Sequence, residues 1–215
     1  MKFAASYSGG KDSTLAIYRA IKQGHEPLAL ITTYNTDAKR SHFHGLTKGV
    51  LESVSKSLNI SLWLIKTSGE EYLQNFEKTL QRAKEQGAEA CVFGDIDIEG
   101  HLEWCTERCK NVGLEALFPM WGESRKDVVY EFIDSGFVAN ITIVNTKYLS
   151  DEFLGQQLTR EVVDRIAAQG ADICGENGEY HTFVSDGAIF NHAVDFNLGE
   201  KFMQDTYAIL PVNIA

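Results

Sequence analysis

The chain lacks a surplus of base. Lys and Arg number 20 against 30 Asp and Glu, for a formal net charge of -10. Clustered cations of the kind nucleic-acid phosphates require are therefore missing, and no nucleic-acid partner is expected. No apolar run approaches the ~20 residues of a membrane span, so no membrane partner is expected either. Proline is scarce, at three residues, and none interrupts a helical pattern. The four cysteines are Cys91, Cys105, Cys109 and Cys174. Met1-Lys2-Phe3 runs straight into a strand pattern without an export signal, which predicts a cytoplasmic protein with reduced thiols rather than a disulfide frame. Internal repeats and low-complexity segments are absent too.

What is present suits a packed domain. The chain is 44% hydrophobic and 23% charged over 215 residues, enough to bury a core. Short apolar runs alternate with amphipathic stretches. Strands are predicted at 2–7, 27–34, 60–67, 89–96 and 114–121, and helices at 13–23, 46–59, 70–87 and 101–113. That alternation predicts βαβ units and a parallel five-stranded sheet with helices on both faces. After residue 122 the pattern changes. Helices at 124–136 and 153–170, a strand at 137–145, and strand-like runs at 179–190 and 201–212 predict a smaller C-terminal α+β part. Asp186-Gly187 is a candidate hairpin turn. The expected division is 1–122 and 123–215.

Between the first strand and the first helix stands "SGGKDS", residues 8–13. It is not the phosphate loop G-x-x-x-x-G-K-[ST], nor the dinucleotide fingerprint G-x-G-x-x-G. Gly9 and Gly10 permit backbone angles that turn successive N–H groups into one concavity. The following helix adds its positive end. Ser8 and Ser13 offer hydroxyls and Lys11 a point charge. Asp12 would repel phosphate unless it bridges through Mg²⁺ or caps the helix. A plain strand-to-helix turn is the competing reading.

A second dense stretch is "CGENGEYHTFVSDG", residues 174–187. Glu176, Asn177, Glu179, Tyr180, His181 and Thr182 form a polar cluster at a loop–strand junction, suited to substrate recognition or proton handling. A solvated turn is the alternative. Weaker constellations are His42 with His44, and His101 with Cys105 and Cys109 at i, i+4, i+8; each is a candidate metal site or ordinary packing. In "MWGESRKD", Trp121 can line a pocket and Arg125 can pair a carboxylate, or both can be structural.

"SGGKDS" after an N-terminal strand resembles the pyrophosphate loop of the N-type ATP pyrophosphatases. "GENGEYHTFV" resembles the E-G-G-E-Y-H-T signature of the diphthine–ammonia ligase family in that superfamily. "FGDI", "GLEALFPMWG", "EFIDSGFVANITIVN" and "FLGQQL" resemble it in order and spacing, so the likeness spans nearly the whole chain. Asn177 stands where that signature has glycine, and "GDIDIEGHLEWC" lacks an arginine-rich stretch of eukaryotic and archaeal members. The chain thus resembles a bacterial-type relative, whose acid need not be diphthine; a corrinoid or another small carboxylic acid is an alternative.

The resemblance implies strand order 3-2-1-4-5 and an ATP-dependent ligase with Mg²⁺. A small-molecule or protein-borne carboxylate attacks the alpha phosphorus, pyrophosphate leaves, and ammonia displaces AMP to give an amide. It implies a nucleotide site of Ser8, Gly9, Gly10, Lys11, Asp12, Ser13, Thr33, Gly94 and Asp95, with Thr32 and Tyr34 nearby. Asp12 is the expected Mg²⁺ ligand, and Asp95 contacts nucleotide or metal, or caps a helix. Lys11, Asp12, Glu176, Glu179 and His181 are the implied catalytic groups. His44, Trp121, Arg125, Asn177, Tyr180 and Thr182 are the implied substrate contacts. An ATP-binding sensor without turnover and a tRNA-thiolating pyrophosphatase are the alternatives; a homo-oligomer is compatible with the composition.

Overall fold

The computed structural model describes residues 1–42, 44–67 and 71–215. The N-terminal part runs β1 (Lys2–Ser6), α1 (Lys11–Lys22), β2 (Glu26–Asn35), β3 (Arg40–Ser41), α2 (Lys48–Leu58), β4 (Ser61–Thr67), α3 (Tyr72–Glu85), β5 (Ala90–Val92), α4 (Glu99–Val112) and β6 (Glu115–Leu117). The expected helix start at Glu70 lies outside the described residues. The rest runs α5 (Arg125–Asp134), β7 (Val138–Asn145), α6 (Arg160–Ala168), β8 (Tyr180–Asp186), β9 (Phe196–Leu198), β10 (Phe202–Gln204), β11 (Tyr207–Ile209) and β12 (Val212–Ile214).

β4, β2, β1, β5 and β6 lie side by side, all parallel. This is the expected order 3-2-1-4-5, with the short β3 added antiparallel at the end of β2. Side chains alternate across the sheet as strand pleating requires. Phe3 and Ala5 join the core that includes α1 and α2, while Ala4 joins the one that includes α3 and α4. The first core takes side chains from both sides of residue 122, among them Leu15, Leu30, Val128, Phe132, Ile141 and Phe183. A smaller antiparallel sheet runs β10-β11-β7-β8, with β12 and β9 as a separate ribbon. Among the described residues no helix is long and apolar enough to cross a membrane.

Several expectations differ from the structure: the strands read over 89–96 and 114–121 shorten to β5 and β6, and the run read as strand over 201–212 breaks at Asp205 into β10 and β11. The helix read over 153–170 begins only at Arg160: Gly155 turns at φ +78°, Gln157 bridges Asn140, and Thr159 caps α6 by accepting from the Val162 N–H. Asp186-Gly187 is not a hairpin turn. Strand β8 pairs with the preceding β7, and Gly187, at φ +140°, passes so close to Phe137 that a Cβ would fall 2.7 Å from its Cα. The hairpin lies instead between β10 and β11, where Asp205 takes a positive φ of 51°.

β8 reaches across to the glycine loop. The Val184 N–H donates to the Gly9 carbonyl at 3.0 Å, and the Lys11 N–H donates to Thr182 Oγ1 at 3.1 Å. The end of β5 presses on the same turn. A Cβ on Gly94 would lie 2.8 Å from the Asp12 carbonyl carbon and the Ser13 nitrogen, so glycine here is a packing requirement. Gly94→Ala is expected to lose about 1–3 kcal/mol through overpacking, whereas Gly100→Ala, with open space around it, should be neutral or stabilising. Equal denaturation midpoints for the two would contradict the close approach.

Candidate functional site

Helix α1 begins at Lys11 with Gly10 as its N-cap and no side-chain cap. The reading of Asp12 as a helix cap is therefore replaced: its carboxylate accepts from Lys11 Nζ at 2.7 Å on both oxygens. Gly9 sits at φ +88°, and at Gly10 a Cβ would fall 2.4 Å from the His44 ring. Ser8 Oγ lies 3.1 Å from Ser13 Oγ and accepts from the Gly10 N–H. The N–H groups of Gly9, Asp12 and Ser13 have no partner among the described residues. They are orphan donors at a helix N-terminus, the arrangement that receives phosphate.

Two cavities of about 350 Å³ each open here. Ser8, Asp12, Ser13, Thr33, Gly94 and Asp95 line the first, and Lys11, Asn177, Tyr180 and Thr182 line the second. Asp12, His44, His101, Glu176 and His181 line both. The two sequence motifs thus meet along one wall. Asp95 does not cap α4, whose N-cap is Ile98; its carboxylate holds His101 Nδ1 at 2.9 Å.

The wall is electrostatically tight. Lys11 is only 5% exposed, with Glu176 Oε1 at 3.9 Å and the Tyr180 ring centroid at 5.7 Å. Burial opposes its charge, yet Asp12, Cys174, Tyr180 and Glu176 outweigh that and hold its pKa well above the ordinary value. Burial and the neighbouring Asp12 raise Glu176 to about 8, against the pull of Lys11 and Arg125. Burial lowers His44 to about 4, with Lys11 adding to it. Burial, His44 and Lys11 lower His181 to about 3. Both imidazoles are neutral near pH 7. A carbonyl can only accept, so in the 2.9 Å contact with Thr182 O the proton is on His44 Nδ1, leaving Nε2 an acceptor.

Three expected site residues stand elsewhere. The Glu179 carboxylate turns onto its own loop and accepts from the Asn177 N–H and side-chain amide at 3.1 and 3.2 Å. Arg125 is committed to Asp97 and Asp172. Trp121 packs edge-on against Phe118. None of the three lines either cavity, and of the expected nucleotide contacts Gly9 and Gly10 line neither as well.

Among the described residues, Asp12, Cys174 and Glu176 bring donor atoms within 4.8 Å of one another. Neither His42 with His44 nor His101 with Cys105 and Cys109 forms such a group there. Sequence reasoning missed Cys174 as a neighbour of Asp12, and the aromatic wall of Tyr72, Phe76, Phe93 and Trp104 in the first cavity. Tyr72 and Trp104 stack at 5.7 Å. The signal existed in the i, i+4 spacing of Tyr72 and Phe76, but it reads equally well as core.

Comparison with known proteins agrees along the whole chain. Residues 1–116 match the family model described as Diphthamide synthase N-terminal domain, and residues 124–215 its C-terminal domain. The chain is 25% identical over 237 residues to a diphthine–ammonia ligase of Homo sapiens, covering 99% of this chain and 89% of that protein. It is 24% identical over 238 residues to one of Mus musculus, with the same coverage. A solved structure described as a predicted subunit of tRNA methyltransferase from Methanocaldococcus jannaschii overlays with a TM-score of 0.48 at 14% identity, covering 90% of this chain and all of that one.

The neutral histidines predict acid sensitivity. Below pH 6.5 the unfolded rings take up protons that the folded ones refuse, so stability present above 6.5 falls as the pH drops toward 4 and then 3. Thermal unfolding across that window should show a shallower slope in His44→Asn and His181→Gln than in the parent. Identical slopes would contradict burial of neutral rings.

Proposed function

Because the chain belongs to the diphthamide synthase family, we propose that it is an ATP-dependent ligase. It adenylates a substrate carboxylate, releases pyrophosphate and AMP, and forms an amide with ammonia. The observation that carries this reading is the shared wall: Asp12 and Ser13 of the glycine loop line the first cavity together with Glu176, and Asp12 and Glu176 line the second as well. Supporting it, the human and mouse relatives bear the name diphthine–ammonia ligase.

In this reading the first cavity holds ATP. The free N–H groups of Gly9, Asp12 and Ser13 and the Ser8 and Ser13 hydroxyls grip the pyrophosphate that leaves, stabilising charge as it develops. Lys11 adds its cation. Thr33, Gly94 and the aromatic wall receive the adenosine. The second cavity, edged by Asn177, Tyr180 and Thr182, holds the acid, either a small molecule or a group on a protein, with its carboxylate toward the common wall. Alignment of the two reactants accounts for much of the rate. Glu176, with a pKa near neutrality, takes a proton from ammonium so that ammonia can attack the adenylate. His181 and His44 offer neutral nitrogens to the substrate. Residues 1–122 act as the nucleotide part and 123–215 as the recognition part.

A magnesium ion fits the donors present. Asp12 offers hard oxygens beside the cradle, whereas burial holds the Cys174 thiol protonated and soft. Magnesium bound there would neutralise charge on the pyrophosphate. The same burial raises the thiol pKa of Cys91 and Cys105, which disfavours a sulfur-transferring role that needs a thiolate.

The test is AMP release from ATP, Mg²⁺ and ammonium across a panel of carboxylic acids. Lys11→Ala and Asp12→Ala should lower turnover by roughly 100-fold or more while keeping the far-ultraviolet dichroism of the parent. Turnover like the parent's in both would overturn the site. ATP binding with no AMP under any mixture would instead indicate a nucleotide sensor.

A further inference from the structure

We propose that Arg125 is a positioning residue, a crossbar that ties the two walls of the cavity together and, through Asp172, orients Glu176. Arg125 is the first residue of α5, behind the Ser124 cap. Its Nε and Nη2 donate to Asp97 at 2.7 and 2.8 Å, a bidentate pair. Its Nη1 donates to Asp172 Oδ2 at 2.6 Å. All three nitrogens are engaged, through three of the five N–H donors, in bonds to carboxylates of the protein itself.

The two carboxylates belong to different walls. Asp97 lies in the loop after β5, whose Gly94, Asp95 and Ile98 line the first cavity. Asp172 opens the loop before β8. Its Oδ1 accepts from the Cys174 N–H at 3.1 Å, and its Oδ2 accepts from the Glu176 N–H at 3.0 Å. One oxygen thus serves both the guanidinium and the backbone of Glu176. The guanidinium therefore fixes the rotamer of the aspartate from which the Glu176 backbone hangs.

Other anchors of this loop stay within it or reach β7, β8 and α1, where the Glu179 carbonyl accepts from the Asn145 N–H and Glu176 and Cys174 meet Lys11 and Asp12. Glu179 holds Asn177, and the Tyr180 hydroxyl donates to the Ile173 carbonyl at 2.7 Å. Arg125 is what joins it to the β5 side. A lysine cannot reproduce the arrangement, because an ammonium is a point donor and lacks the planar fork that engages one carboxylate with two bonds and another with a third.

The direct test is amide hydrogen exchange at fixed pH in Arg125→Gln, Arg125→Lys and Asp97→Asn, each compared with the parent. Exchange of the Glu176 and Cys174 N–H groups should quicken roughly tenfold in Arg125→Gln, with β1, β2 and β7 unchanged. Arg125→Lys should restore part of the protection, and Asp97→Asn should move it the same way by less. The half-exposed Asp97 (37%) keeps the test alive should Arg125→Gln not fold. Unchanged Glu176 exchange in folded variants would overturn the proposal.

A second arm rests on the ligase reading. AMP release should persist in Arg125→Gln while the amide formed per AMP falls, since a misplaced Glu176 leaves the adenylate to water. The KM for ATP should stay within about twofold. Quickened exchange with an unaltered amide-to-AMP ratio would refute the orienting role. A parent chain that makes no AMP would refute the ligase reading, and the exchange arm would still decide the crossbar.

Discussion

The site exists because one strand of the C-terminal part is hydrogen-bonded to the glycine loop of the N-terminal part. Val184 takes the Gly9 carbonyl, Thr182 takes the Lys11 N–H on its hydroxyl and the His44 ring on its carbonyl. A loop rich in glycine loses much conformational entropy when ordered. Partners for its outward carbonyl and one of its amides offset part of that. They also leave Asp12 and Ser13, whose N–H groups have no partner among the described residues, lining the first cavity. The same strand carries His181, so the register that satisfies the loop also sets the second motif beside the first.

Charge at this junction is arranged by burial more than by number. The chain is acidic overall, yet a buried cation of the second cavity, Lys11, sits against Asp12 and Glu176 of the common wall. Partner removal would leave an uncompensated charge in a low-dielectric setting, which is costly. Dry surroundings keep both imidazoles neutral and hold Glu176 near the pH where a proton can move either way. Phosphate arriving at the loop would meet Lys11 and the helix N-terminus, and a cation arriving with it would meet Asp12.

The alternation of strands and helices and the two motifs were legible because each leaves a local trace: apolar runs with strand length, glycines at helix ends, polar residues crowded where packing alone would not place them; the sheet order came only through the family resemblance. What was not legible depends on side-chain partners far apart in the chain. Arg125 looked like a substrate clamp until Asp97 and Asp172 claimed its guanidinium. Glu179 looked equivalent to Glu176, but only Glu176 lines the cavities, and left-handed turns at Gly175 and Gly178 bracket Glu176 and Asn177. The late start of α6 turns on Gly155 and a bridge to β7, a tertiary contact that overrides the helical pattern of 153–159.

The central claim is that the free amides of residues 9–13 receive the outer phosphates of a nucleotide. Titration of ¹⁵N-labelled protein with magnesium pyrophosphate, followed by amide chemical shifts, addresses it most directly. The account predicts saturable shifts at Gly9, Asp12 and Ser13, with the Val184 amide on Gly9 responding next. Saturable binding that leaves those three amides unmoved would contradict it.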